Sequence, residues 1–203
     1  MYTPKNMQML DVDQQLKFIH SYGFAILVSE DLQVSQLPLI IESSESGVAH
    51  IYGHMAKANP QWKALDGTKV KAIFSGPHSY ISPKWYAGSP AVPTWNYAAV
   101  HVTGIASLLD SAQTLVAVHK LVKQYESTLL DDNNLMPEDY QRKLAQAIVG
   151  FKIEVTHMEG KQKLGQHRSV GDQQGVAAGL ANDPHLDASA LLAYMRKTGI
   201  GLG

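Results

Sequence analysis

Hydrophobic and polar positions change period several times along the chain, and each change predicts an element. Asp11 stands as an N-cap before Val12, Leu16 and Ile19, whose spacing puts them on one face of a first helix. From Gly23 the period shortens. "GFAILVSE" (23–30), "LQVSQLPLII" (32–41) and "GVAHIYGHM" (47–55) read as three strands with polar turns between them. Pro38 inside the second marks an edge or a bulge, because proline cannot donate to a ladder. "NPQWKAL" (59–65) is a short helical turn and "KVKAIFSG" (69–76) a strand. A loop-rich excursion over 80–95 then leads into a long strand at 98–109. Ser111 is placed to cap a helix with Leu115, Val118, Leu121, Val122 and Tyr125 on one face. Pro137 suits a first helical position, with Tyr140, Leu144 and Ile148 as that helix's apolar stripe. "GFKIEVTHMEG" (150–160) returns to a strand. From Asp172 two short helices follow, the second carrying Leu191, Leu192 and Met195. The sum is an α+β barrel of six or seven strands, a single domain over 1–203 with a helical extension at about 170–203.

Composition narrows the classes. A chain of 203 residues, 45% hydrophobic and 17% charged, is globular and long enough for a proper core. No apolar run approaches the roughly 20 residues of a membrane span, and the start, "MYTPKNMQML", lacks the apolar stretch of a secretory signal. The expected placement is the cytoplasm, away from membranes. Without cysteine, disulfides, thiol chemistry and Cys-ligated zinc are excluded. A net charge of −1 with no basic block gives no general affinity for nucleic acid.

Familiar chemical motifs are absent. There is no G-x-x-x-x-G-K-[ST] loop, and Gly171, Gly175 and Gly179 do not follow a strand as a dinucleotide fingerprint requires. No G-x-S-x-G elbow is present. Among nine histidines, His50 and His54 are four apart. On a strand rising about 3.3 Å per residue their Cα atoms would stand roughly 13 Å apart, too far for one ion.

Four stretches carry candidate chemistry. Ser35 and Gln36 precede the irregularity at Pro38, where backbone groups leave the ladder and need partners. A heterocycle edge or a neighbouring loop would satisfy them equally. In "GHMAKANPQW" (53–62), His54, Lys57 and Asn59 stand near a helix start, which favours anions, although a solvated turn reads the same way. In "AVPTWNYAAVHVTG" (91–104), Thr94, Trp95, Asn96 and Tyr97 precede plain alternation, as a self-satisfied turn or as the wall of a pocket for a flat polar ligand. "EGKQKLGQHR" (159–168) gathers Lys161, Lys163, His167 and Arg168 after the last expected strand, the densest positive charge in the chain.

Taken in order, "MYTPK", "SQLPL", "GHMAKANPQW", "AIFSGPHSYISPKWY", "VPTWNYAAVH" and "EGKQKLGQHR" resemble the PaiB-like family of FMN-binding split-barrel proteins, and more distantly pyridoxamine-phosphate oxidases and flavin reductases. The resemblance spans roughly residues 1–180. It implies an antiparallel split β-barrel with peripheral helices, FMN as cofactor, and a homodimer with FMN at the subunit interface. Carried over, it sets Ser35, Gln36, Leu37 and Pro38 along the flavin and His54, Lys57 and Asn59 near the phosphate. Thr94, Trp95 and Asn96 would line the ring pocket, and Lys163, Gln166 and His167 would face the ligand. Two departures stand out. The family usually reads Ser-Gln-Asn where this chain has Gly165-Gln166-His167, and the oxidases' arginine-rich substrate grip is largely missing. Two functions follow from the resemblance. One is a flavin-dependent oxidoreductase, such as a flavin reductase taking hydride from a nicotinamide donor; the other is a flavin-binding negative transcriptional regulator or sensor without turnover. Direct nucleic-acid binding is not expected: Asp172, Asp183 and Asp187 flank the terminal helices, against only Arg196 and Lys197.

Overall fold

In the computed structural model, residues 1–43 and 49–203 are described. The strands are β1 (Gln8–Met9), β2 (Phe24–Val28), β3 (Val34–Pro38), β4 (Ile40–Ser43), β5 (Ala49–Ala56), β6 (Lys69–Ile81), β7 (Thr94–Leu108) and β8 (Ile148–Lys163). The helices are α1 (Val12–Ser21), α2 (Ser111–Glu126), α3 (Glu138–Ala145), α4 (Val170–Asn182) and α5 (Leu186–Thr198). One sheet runs β3-β2-β6-β7-β8-β5-β4, with β1 pairing β8. The β2–β3, β2–β6, β4–β5 and β5–β8 pairs are antiparallel.

Pro38 acts more strongly than an edge proline. The "LQVSQLPLII" stretch is two strands, β3 ending at Pro38 and β4 starting at Ile40, and they occupy opposite ends of the strand order. Between them Leu39 is fully buried and its N–H bonds the Gly23 carbonyl at 2.8 Å. Residues 47 and 48, at the head of the third expected strand, lie outside the described residues; β5 follows from Ala49. β6, β7 and β8 all outrun their sequence signals, reaching 13, 15 and 16 residues.

Several helix faces differ from the apolar spacing. On α1 the buried positions are Gln15, Phe18 and Ile19, while Val12 is exposed. α2 is capped by Asp110 rather than Ser111, in a capping box with Gln113, and buries Thr114, Ala117 and Leu121. Tyr125 lies exposed. Small residues face inward because the sheet is close: a Cβ on Gly150 would come 2.5 Å from the Thr114 hydroxyl. On α3, Pro137 is the N-cap, Tyr140 and Leu144 are exposed, and Ile148 already belongs to β8. α5 buries Leu191, Leu192 and Met195 as its pattern predicts.

The chain forms two compact units, residues 1–15, 75–100 and 159–203 as one, and residues 16–74 and 101–158 as the other. The first centres on Ile81, Leu164, Leu180, Leu191 and Met195; the second on Leu27, Leu39, Ile51, Phe74, Phe151 and Ile153. Among the described residues no helix is long and apolar enough to cross a membrane.

Candidate functional site

Strand alternation builds the site in the first unit. Along β7, Thr94 and Asn96 point one way and Trp95 and Tyr97 the other. Asn96 is buried, whereas Trp95 and Tyr97 line a cavity of about 320 Å³ with Ser75, Gly76 and His78 of β6, and Ala98 and Ala99. The His78 ring centre stands 6.0 Å from that of Trp95, and Tyr80 meets Trp95 edge-on at 6.3 Å. Of the three residues expected to line a ring pocket, Trp95 lines this cavity and Thr94 and Asn96 do not; Ser75, Gly76, His78, Tyr97, Ala98 and Ala99 complete its lining. His78 was missed because the sequence pattern of its strand stops at residue 76, whereas the strand continues to Ile81.

The basic stretch is half strand. β8 runs through Lys163, so Glu159, Lys161 and Lys163 alternate with Gly160 and Gln162 instead of forming a loop. Lys163 donates to the Thr94 hydroxyl and to the Trp95 carbonyl at 2.7 Å, tying β8 to the cavity wall. Gly165 follows at φ 80°, a left-handed turn that favours glycine. Gln166 spends its amide on structure: it accepts from the Leu164 N–H and donates to the Asn6 and Gln162 carbonyls. His167 is exposed. Of the other aromatic residues, Trp85 packs on α4 and Tyr86 lies under the Arg168 guanidinium.

In the second unit Ser35 and Asn59 meet at the turn Pro60–Ala64. Asn59 donates to the Ser35 hydroxyl at 2.7 Å, and its own carbonyl oxygen accepts from the Gln61 N–H, capping the turn Pro60–Ala64. Gln36 is exposed, and Leu37 and Pro38 are half-buried. Lys57 is exposed; its backbone is held by the Ala147 carbonyl and the Trp62 indole N–H. His54 is half-buried, with Nδ1 buried and without a partner among the described residues, and burial pushes its pKa below the ordinary histidine value. His50 and His54 share one face of β5, and among the described residues no three metal-ligating side chains come together.

The antiparallel sheet is that of a split barrel, with a cavity walled by Trp95 and Tyr97 in the first unit. Comparison with known proteins agrees. The family model described as "Putative FMN-binding domain" matches residues 1–157. The chain belongs to that family, and FMN is the cofactor the family model assigns to it. It is 32% identical over 203 residues to "Protease synthase and sporulation protein PAI 2" of Bacillus subtilis, covering 96% of each chain. Among solved structures, the flavocytochrome Anf3 of Azotobacter vinelandii aligns with a TM-score of 0.57 at 16% identity, over 79% of this chain and 72% of that one. The FAD and heme binding protein of Mycobacterium smegmatis aligns with a TM-score of 0.54 at 12% identity, over 77% and 73%.

The first unit's residues fit a flavin. Trp95 and Tyr97 offer faces to a flat ring. The lysines of β8 suit an anionic tail. At about 320 Å³ the cavity is near the lower limit for a small-molecule site, enough for a ring system with its chain left outside.

Proposed function

We propose that this protein is an FMN-dependent oxidoreductase of the flavin-reductase type, passing hydride between a nicotinamide donor and flavin. The observation that carries the reading is the cavity at Trp95, Tyr97 and His78, which offers aromatic walls to a flat ring and opens to the surface. Bound flavin supplies the redox chemistry itself, so the chain need only bind, orient and shield. Trp95 and Tyr97 orient the ring by stacking. Lys163 fixes that wall through the Trp95 carbonyl. His78 stands at the cavity rim as a hydrogen-bonding group, its Nδ1 3.3 Å from the Gly76 carbonyl.

A second reading is a flavin-binding regulator without turnover. Whole-length similarity to a Bacillus subtilis protein named for protease synthesis and sporulation favours it. One measurement separates the two. The purified protein, supplied with FMN, should show flavin absorbance and consume NADH or NADPH with steady turnover when given excess free flavin as acceptor. Flavin absorbance with no turnover would leave the regulator reading.

A further inference from the structure

A second cavity, of about 340 Å³, lies wholly within the second unit and shares no residue with the aromatic cavity of the first. Tyr52 of β5 and Lys152 of β8 are partners in the ladder, so their side chains stand side by side on one face. Both line the cavity. From α2 come Gln113, Val116, Ala117 and Lys120, recurring every three or four residues along one stripe of the helix. Leu109, just before that helix, adds to the apolar part of the wall.

The two lysines differ in how their charge is met. Lys120 pairs with Glu42 and lies 4.3 Å from the centre of the Tyr52 ring, so it is neutralised and braces one wall. Lys152 is half-buried, and among the described residues no carboxylate stands at ion-pair distance from it. Asp110, at the head of α2, spends its carboxylate on the Gln113 N–H. Glu154, two residues along β8, is exposed and pairs with His50 in the ladder. Withdrawing an ammonium from water without a counter-charge costs free energy that an incoming anion returns in part. Neutral donors are spare as well. Gln113 uses its carbonyl oxygen to accept from the Asp110 N–H, which leaves its amide nitrogen without an acceptor among the described residues. The Tyr52 hydroxyl makes no hydrogen bond to them either.

We propose that this cavity binds a small apolar monocarboxylate, its acid group on Lys152 and its body against Leu109, Val116 and Ala117. The site stands independently of the flavoprotein reading. Charge selects the head group. One uncompensated ammonium matches one carboxylate, whereas a phosphate monoester brings about 1.5 to 2 negative charges. A charge-assisted bond from Lys152, with the Gln113 amide and the Tyr52 hydroxyl as further donors in the same lining, suits the two oxygens of a carboxylate. Size and polarity select the body. At about 340 Å³ the space is near the lower limit for a small-molecule site and admits one ring rather than a dinucleotide. Leu109, Val116 and Ala117 offer no side-chain hydrogen bond, which disfavours a sugar acid against an apolar one.

Calorimetric titration of the full chain at fixed ionic strength, with and without FMN, tests the site. The probes are phenylpropionate, its neutral amide, and phenylethyl phosphate. The proteins are wild type, Lys152→Met, Val116→Trp and Lys123→Met, the last changing an exposed lysine of α2 outside the lining. Wild type should bind the acid at one saturable site, about tenfold or more tighter than the amide, and tighter than the phosphate. Lys152→Met should bring the acid down to the amide's affinity. Val116→Trp should fill the space and abolish binding of both, and Lys123→Met should match wild type. The acid-to-amide ratio does not depend on how much of a variant is folded, so a destabilised Lys152→Met still reports. The proposal is overturned by no saturable binding to wild type, by equal affinities for acid and amide, or by a tighter phosphate. Binding unchanged in Lys152→Met or Val116→Trp overturns it too. So does displacement of the acid by FMN, since the cavity would then belong to the flavin site. A chain that takes the acid but no FMN would instead uphold this site and sink the flavoprotein reading.

Discussion

His54 sits on β5 with its imidazole half-buried and Nδ1 without a partner among the described residues. Burial lowers its pKa in the folded protein, so the unfolded chain takes up a proton first as pH falls. The unfolded state then binds more protons, and stability drops on acidification through the ordinary histidine value of 6.5. Melting temperatures of the flavin-free protein between pH 8 and 5 should therefore fall more steeply for wild type than for His54→Leu. Parallel profiles would remove His54 as a source of acid sensitivity. Gln61 shows a different economy. Nearly all of it is buried, and its amide donates to the Leu27 and Gln33 carbonyls and the Ser29 hydroxyl, locking the β2–β3 hairpin.

Among elements, α4 shows how a glycine pattern acquires meaning. Gly175 and Gly179 lie one turn apart and face Trp85, in the short turn Pro83–Trp85. A Cβ on Gly179 would come 2.2 Å from the indole ring, and one on Gly175 1.9 Å from the Trp85 carbonyl. The glycines that fail as a nucleotide fingerprint are there to let a tryptophan lie on a helix. Gly179→Ala should cost about 1–3 kcal/mol through overpacking, lowering Tm by roughly 2–10 °C for a chain of this size. Calorimetry checks this, and an unchanged Tm would mean that Trp85 can move aside freely. Asp110 makes a second element-scale case. Losing its side-chain cap should cost about 1 kcal/mol, seen as a denaturant midpoint lowered in Asp110→Ala at constant m-value.

For the whole molecule, the exposed surface bears on assembly. In the first unit Trp95 is 53% exposed and lines the cavity, and Tyr80, 44% exposed, meets it edge-on, aromatic surface that a partner would cover. We expect a homodimer that covers this surface and binds FMN more tightly than the monomer does. By linkage, FMN must then tighten association by the same factor. Sedimentation across protomer concentration, with and without FMN, should show the dimer constant shifting on flavin addition. A monomer holding FMN with undiminished affinity would sink the expectation.

Local pattern was enough for much of this protein. Alternation at 98–109 announced most of β7, the Leu191, Leu192 and Met195 spacing announced the buried face of α5, and ordered strings such as "VPTWNYAAVH" pointed to the flavin-binding family. These features depend on neighbours in the chain, so the sequence carries them directly. Other features depended on what a residue meets across space. Apolar spacing placed Tyr125, Tyr140 and Leu144 inside, but α2 buries Thr114, Ala117 and Leu121 instead of Tyr125, and α3 leaves Tyr140 and Leu144 exposed. Pro38 could be read as an irregularity, yet only pairing decided that β3 and β4 part to opposite ends of the sheet. The parity of β6 and β7 brought His78 to Trp95, and the extension of β8 turned a basic loop into lysines behind an aromatic wall. Period and capping are properties of a segment, whereas close approach, burial of charge and the sharing of a cavity exist only once distant segments are held together.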